Sequence, residues 1–162
     1  MKPKLLLPKY IKKEKQKRFE ILERAADLGF KIFGSSAKEL FKNAVYAMGY
    51  AQKPEIVEQS AVGALIGRLR GRRISEDFLI ESMDYNTLLV DFLSEILSRS
   101  DNQNAVFFDV KFNKFSELKI GGRIYGVKVD DFSKNIKAVT YHEVDVKESE
   151  PGKWESQLVF DI

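Results

Sequence analysis

The last third of the chain constrains the fold most, because its apolar residues recur with a period of two. Val106, Phe108, Val110 and Phe112 are each separated by one residue, which puts their side chains on one face of a β-strand. Leu118–Val129, Lys137–Val146 and Trp154–Phe160 read as further strands. Turns are predicted at Asn113–Phe115, Asp130–Asn135 and Glu148–Lys153, where turn-forming residues gather. Successive strands joined by short turns pair antiparallel.

The first two thirds mix this period with the helical one. Phe19 and Ile21, then Phe30 and Ile32, predict two short strands around a turn at Asp27–Gly29. Ser36-Ala37-Lys38-Glu39 is a capping box. Behind it Ala37, Leu40, Phe41, Ala44, Val45 and Met48 share one helical face. A second helix is predicted over Asp84–Arg99, with Leu88, Leu89, Phe92, Leu93, Ile96 and Leu97 inward and Asp91, Glu95 and Arg99 pointing away. Ile74–Ser82 predicts one more strand. Residues 51–73 suit a short helix through Ile56, Val57, Ala61, Leu65, Ile66 and Leu69 and end in Arg68, Arg70, Arg72 and Arg73. The predicted class is α+β, a two-layer sandwich of mostly antiparallel sheet with two main helices on one face. A chain of 162 residues holds one such domain and one sizeable core.

Charge is distributed unevenly. Lys2, Lys4, Lys9, Lys12, Lys13, Lys15, Lys17 and Arg18 face only Glu14 in residues 1–18, a local charge of +7 in a chain whose net charge is +3. Residues 1–17 are therefore read as a basic extension, able to lie along a phosphate backbone, and residues 18–162 as the folded domain. The composition also excludes chemistry. Without cysteine there is no disulfide, thiolate nucleophile, zinc ribbon or iron–sulfur cluster. The single histidine, His142, rules out an HExxH zinc site. It lies in the predicted strand Val139–Val144 and is read as a half-buried structural residue. The longest apolar runs fall far short of the roughly 20 residues that span a bilayer. Leu5-Leu6-Leu7 is too short for a signal peptide, so a cytoplasmic protein with no membrane partner is expected. No phosphate-cradling loop or nucleophile elbow is present.

Two carboxylates stand out. Asp27 lies at the predicted turn after the first strand, and Asp161 is penultimate, followed by the carboxylate of Ile162. If the last strand runs beside that turn, the three converge as an all-oxygen cluster suited to Ca²⁺ or Mg²⁺ rather than zinc.

Several segments resemble one family, the archeases. Glu23-Arg24-Ala25-Ala26-Asp27-Leu28-Gly29 is similar to its first motif, and Leu40-Phe41-Lys42-Asn43-Ala44 to its first helix. Leu88-Leu89-Val90-Asp91-Phe92-Leu93-Ser94-Glu95-Ile96-Leu97 resembles its second helix, Lys137-Ala138-Val139-Thr140-Tyr141-His142 a characteristic strand, and Phe160-Asp161-Ile162 the usual terminus. In family order these pieces cover about residues 18–162, and the arginine-rich stretch around 51–73 reads as an insertion.

The resemblance implies an accessory protein, not an enzyme. Its partner would be an RtcB-type RNA ligase, which joins tRNA halves and other RNAs. The protein would promote guanylylation of the ligase histidine and repeated turnover in tRNA splicing. It also implies a divalent cation, calcium ahead of magnesium or manganese, held by Asp27, Asp161 and the main-chain oxygen of Ile162. Two other roles compete. One is chaperone-like modulation of a tRNA cytosine methyltransferase, and the other is direct tRNA binding through the basic arm with Arg68, Arg70, Arg72 and Arg73. A phosphoesterase built on Asp27 and Asp161 ranks last, for want of an evident base or leaving-group acid. The family's His-Thr is replaced here by Arg24-Ala25, and a guanidinium at Arg24 would pair with Asp27 and compete with a metal. Val127 stands where the family commonly has Glu.

Overall fold

A computed structural model describes residues 17–61 and 72–162. Most of the basic arm, and Leu65, Ile66, Arg68, Leu69 and Arg70 of the stretch around 51–73, lie outside the described residues. The elements are β1 (Phe19–Leu22), β2 (Leu28–Gly34), α1 (Ala37–Gln52), α2 (Pro54–Ala61), β3 (Arg73–Glu81), α3 (Tyr85–Gln103), β4 (Ala105–Phe115), β5 (Lys119–Lys128), β6 (Ala138–Val139), β7 (Lys147–Glu150) and β8 (Lys153–Asp161). The class is α+β with antiparallel sheets, as the periodicities predict.

Two sheets share the strands. The first runs β1-β2-β8-β6, with β7 also on β8; the second is β3-β5-β4. β8 is the axis of the first sheet. One edge pairs with β2 from Leu28↔Phe160 to Gly34↔Trp154. The other pairs with β6 near Asp161 and with β7 near Trp154.

Both helices start where their caps say. The Ser36 hydroxyl accepts the Glu39 amide at 3.1 Å and opens α1. The Glu39 carboxylate accepts from the Ser35 hydroxyl instead of closing the box on Ser36. Asp84 caps α3 through the Thr87 amide at 2.8 Å, and Asn104 ends that helix in the left-handed region. The predicted stripes are the core. Leu40, Phe41, Met48, Leu88, Phe92 and Leu93 are buried together with Phe30, Phe107 and Phe160 from the sheets. Each large apolar side chain removed from water contributes about 1.5–3 kcal/mol. Gly49 lets α1 approach β4 closely, since a Cβ there would stand 2.6 Å from the Phe107 carbonyl oxygen. A smaller cluster of Val57, Val106, Val127 and Val129 seats α2 against β4 and β5.

Several boundaries differ from expectation. β4 continues through Asn113–Phe115, and the turn falls at Ser116–Leu118, closed by the Ser116 amide on the Lys119 carbonyl. Two register shifts in β4, at Phe107/Asp109 and Phe112/Lys114, blur its alternation. The expected turn Glu148–Lys153 includes part of a strand, β7, and narrows to Pro151-Gly152 with Gly152 at φ 74°. Gly29 belongs to β2, so the first turn spans residues 23–27. Of Lys137–Val146 only Ala138–Val139 is paired. Thr140 still holds β8, its amide and hydroxyl both donating to the Val159 carbonyl at 3.1 and 3.0 Å, and the chain leaves the sheet beyond it. A turn follows, closed by the Val144 amide on the Tyr141 carbonyl.

Candidate functional site

The register of β2 on β8 builds the site. Leu28↔Phe160 is the last pair of that ladder; Asp27 precedes it on one strand and Asp161 follows it on the other. Continuing the register by one residue sets the two acids opposite each other at the same end of the sheet. By alternation they share the face of the pair Gly29↔Val159. Asp161 is exposed, its carbonyl oxygen accepts the Lys137 amide at 2.7 Å, and it pairs with Ala138 of β6. The Ile162 side chain packs against the core, which anchors the chain just past Asp161.

The turn before β2 adds a cation. Arg24 Nε donates to Asp27 Oδ1, and Nη1 donates to Glu143 Oε2 at 2.7 Å. The pairing of Arg24 with Asp27 is the one the first motif leads one to expect; Glu143 is an addition. The hydrogen bond to Asp27 raises the Arg24 guanidinium above its ordinary pKa, against some desolvation and with help from the Asp27 and Glu143 charges. Gly29 makes room for the arginine stem, since a Cβ there would lie 2.6 Å from Arg24 Cδ.

Glu143 reaches Arg24 from the 140–144 turn, with its own backbone at φ 62°, a left-handed conformation uncommon outside glycine. The turn is fastened to α3 by the Tyr141 hydroxyl, which donates to Asp91 Oδ1 at 2.9 Å. That bond raises the Tyr141 pKa. Read as a strand, this segment hid both residues. The letters that could have exposed the turn are His142-Glu143, two polar neighbours in succession that break the alternation. His142 is correspondingly not half-buried: its side chain is 69% exposed, with Nε2 3.9 Å from Glu143 Oε1.

The oxygen donors expected for a divalent ion are thus only partly available. Arg24 holds Asp27, the first of those donors. Calcium takes about 6–8 oxygen ligands. No group of three or more His, Cys, Asp or Glu side chains among the described residues is placed to hold a metal ion. As they stand, these residues fit a guanidinium and do not fit a divalent ion on Asp27.

Of the four arginines in the basic stretch, Arg72 and Arg73 are described and exposed. Arg72 is engaged with Asp130 at 2.8 Å and the Lys128 carbonyl at 3.3 Å. Such exposed pairs are worth little and break easily. No helix among the described residues is long and apolar enough to cross a membrane.

Comparison with known proteins gives a consistent answer. Residues 19–162 match the model of the Archease protein family (MTH1598/TM1083). Protein archease of Pyrococcus abyssi is 31% identical over 153 residues, covering 90% of this chain and 99% of that protein. Protein archease of Methanosarcina acetivorans is 30% identical over 154 residues, covering 90% and 97%. Among solved structures, that of Methanobacterium thermoautotrophicum protein 1598 superposes with a TM-score of 0.64 at 26% identity, covering 90% of this chain and 99% of that one. An archease from Thermotoga maritima shares the fold with a TM-score of 0.58 at 14% identity, covering 88% and 96%. With nearly the whole described chain matched and its first and last motifs meeting at one end of a sheet, this protein belongs to the archease family, whose members are accessory proteins rather than enzymes.

Proposed function

We propose that this protein activates an RtcB-type RNA ligase in tRNA splicing and related RNA ligation, promoting guanylylation of the ligase histidine and multiple turnover. The observation that carries this reading is the archease match across residues 19–162, joined to a charged tip where β2, β8 and the 140–144 turn meet. The tip offers Asp27, Glu143, Asp161 and Arg24 on backbone that the sheet and the Tyr141–Asp91 bond hold in place. Docked beside the ligase's own site, such pre-set charges would favour the arrangement in which its histidine attacks the nucleotide. The reacting groups belong to the ligase; this chain contributes position and field. A cytoplasmic location accords with that partner.

The test is multiple-turnover joining of RNAs with 2′,3′-cyclic phosphate and 5′-hydroxyl ends by a cognate ligase, with a sub-stoichiometric amount of this protein. Activation is expected, and Asp161→Ala should weaken it by about tenfold or more, the scale of losing one interfacial charge contact. The fold should survive, because Asp161 is exposed. Ligation unchanged by the wild-type protein would overturn the proposal. RNA binding that weakens steeply with salt would then favour direct tRNA recognition.

A further inference from the structure

The geometry points to Arg24 as the built-in cation of the tip, holding Asp27 and Glu143 together without a divalent ion. This inference concerns the tip itself and does not depend on which partner the tip meets.

The strand register creates the need for a positive charge. Asp27 and Asp161 flank the pair Leu28↔Phe160 and so meet across neighbouring strands, where like charges are destabilising. Glu143 brings a further carboxylate, from the 140–144 turn, to the guanidinium that holds Asp27. Asp27 and Glu143 call for a cation between them, and the chain supplies it. Arg24 turns two different nitrogens to two different acids, Nε to Asp27 and Nη1 to Glu143 at 2.7 Å. Contacts to both orient the planar guanidinium, which a single surface pair would not do. Its side chain is only 24% exposed.

Two features of the surroundings are shaped to this arginine. Its stem runs across Gly29, where a Cβ would stand 2.6 Å from Cδ and 3.4 Å from Cγ. Glu143, with φ at 62°, holds a conformation that persists only when its contacts over-determine it. The ion pair to Arg24 and the neighbouring Tyr141–Asp91 bond supply those contacts. A divalent ion entering this site would have to expel the guanidinium from Asp27 or sit beside its positive charge. Either way binding is opposed, and a chelator has nothing to remove.

The test uses the full chain with calcium, magnesium or manganese chloride, read by isothermal titration calorimetry and by melting temperature, so no ligase enters it and it can fail independently of the proposed activity. The wild-type protein is expected to melt at the same temperature in millimolar calcium and in EDTA, with no saturable heat. Arg24→His removes the guanidinium and should bind calcium or manganese at least about tenfold more tightly than wild type, with a melting temperature that falls on adding EDTA. Arg24→Gln keeps most of the stem over Gly29 and serves the same purpose if the histidine variant misfolds. Saturable divalent binding by the wild type that disappears in Asp27→Asn would overturn the inference. So would the lack of any gain in divalent binding in both Arg24 variants, because Arg24 would then not be standing in an ion's place.

Discussion

A methyl group at Gly49 would lie 2.6 Å from the Phe107 carbonyl oxygen and 3.2 Å from Phe108 Cβ. Two effects of Gly49→Ala therefore oppose each other. Helix propensity favours alanine by about 1 kcal/mol. Forcing α1 away from the β4 backbone costs about 1–3 kcal/mol. The contact wins, because its partner is main chain that two neighbouring elements hold, so the variant should be less stable in denaturant titration; a gain in midpoint would show that α1 shifts freely. Leu93 tests the opposite fault. It is 0% exposed within the inward stripe of α3, and Leu93→Ala should lose about 2–5 kcal/mol to transfer and cavity terms. A loss below about 0.5 kcal/mol would mean that the core repacks around it.

At the scale of elements, the starts of helices were the most legible and the ends of strands the least, while α3 runs to Gln103, past the expected Arg99. Ser36 and Asp84 announce α1 and α3 because a cap is one side chain answering one amide three residues on. Strand limits depend on the partner strand instead. β7 is exposed at all four positions and carries no apolar alternation, so only its pairing with β8 reveals it. Val139–Val144 reads as strand, but its ladder on β8 stops at Val139↔Phe160, and Thr140 makes the last bonds, to the Val159 carbonyl. The Asp84 cap also makes a pH prediction. Hydrogen bonds from the Thr87 hydroxyl and then its amide lower the Asp84 pKa in the folded protein. A carboxyl depressed on folding contributes stability that is fully present above its unfolded value, about 3.9, and is lost as pH falls through the folded value. Asp84→Asn keeps a competent cap without the titration. The stability difference between wild type and this variant should be level near neutrality and shift against the wild type below about pH 4. A difference that stays constant to lower pH would remove Asp84 from the acid-sensitive groups.

For the whole molecule, the question is why two sheets without a shared strand behave as one body, and the aromatic residues answer it. Trp154 of β8 stands edge-on to Tyr85 of α3 at 5.7 Å. Tyr85 contacts Phe41 of α1 and Phe115 of β4, and Phe112 carries the chain on to Phe78 of β3. The first sheet therefore reaches the second through side chains of both long helices. The same long-range logic explains what could be read of the tip. Arg24 with Asp27 is a contact three residues apart and was foreseeable from their spacing. Glu143 is 119 positions from Arg24, and only the sheet and the turn beyond β6 bring it there. Phe41 is at the centre of the aromatic junction and 0% exposed. Phe41→Ala should cost about 3–5 kcal/mol, and the loss should fall on both sheets at once. The single tryptophan reports the junction directly, while far-UV circular dichroism reports the sheets and helices together. The two signals should move to a lower denaturant midpoint in step, since a shared core unfolds as one unit. A tryptophan transition that separates from the circular dichroism transition, in the variant or in the wild type, would mean that the two sheets fold independently and that the aromatic chain only bridges them.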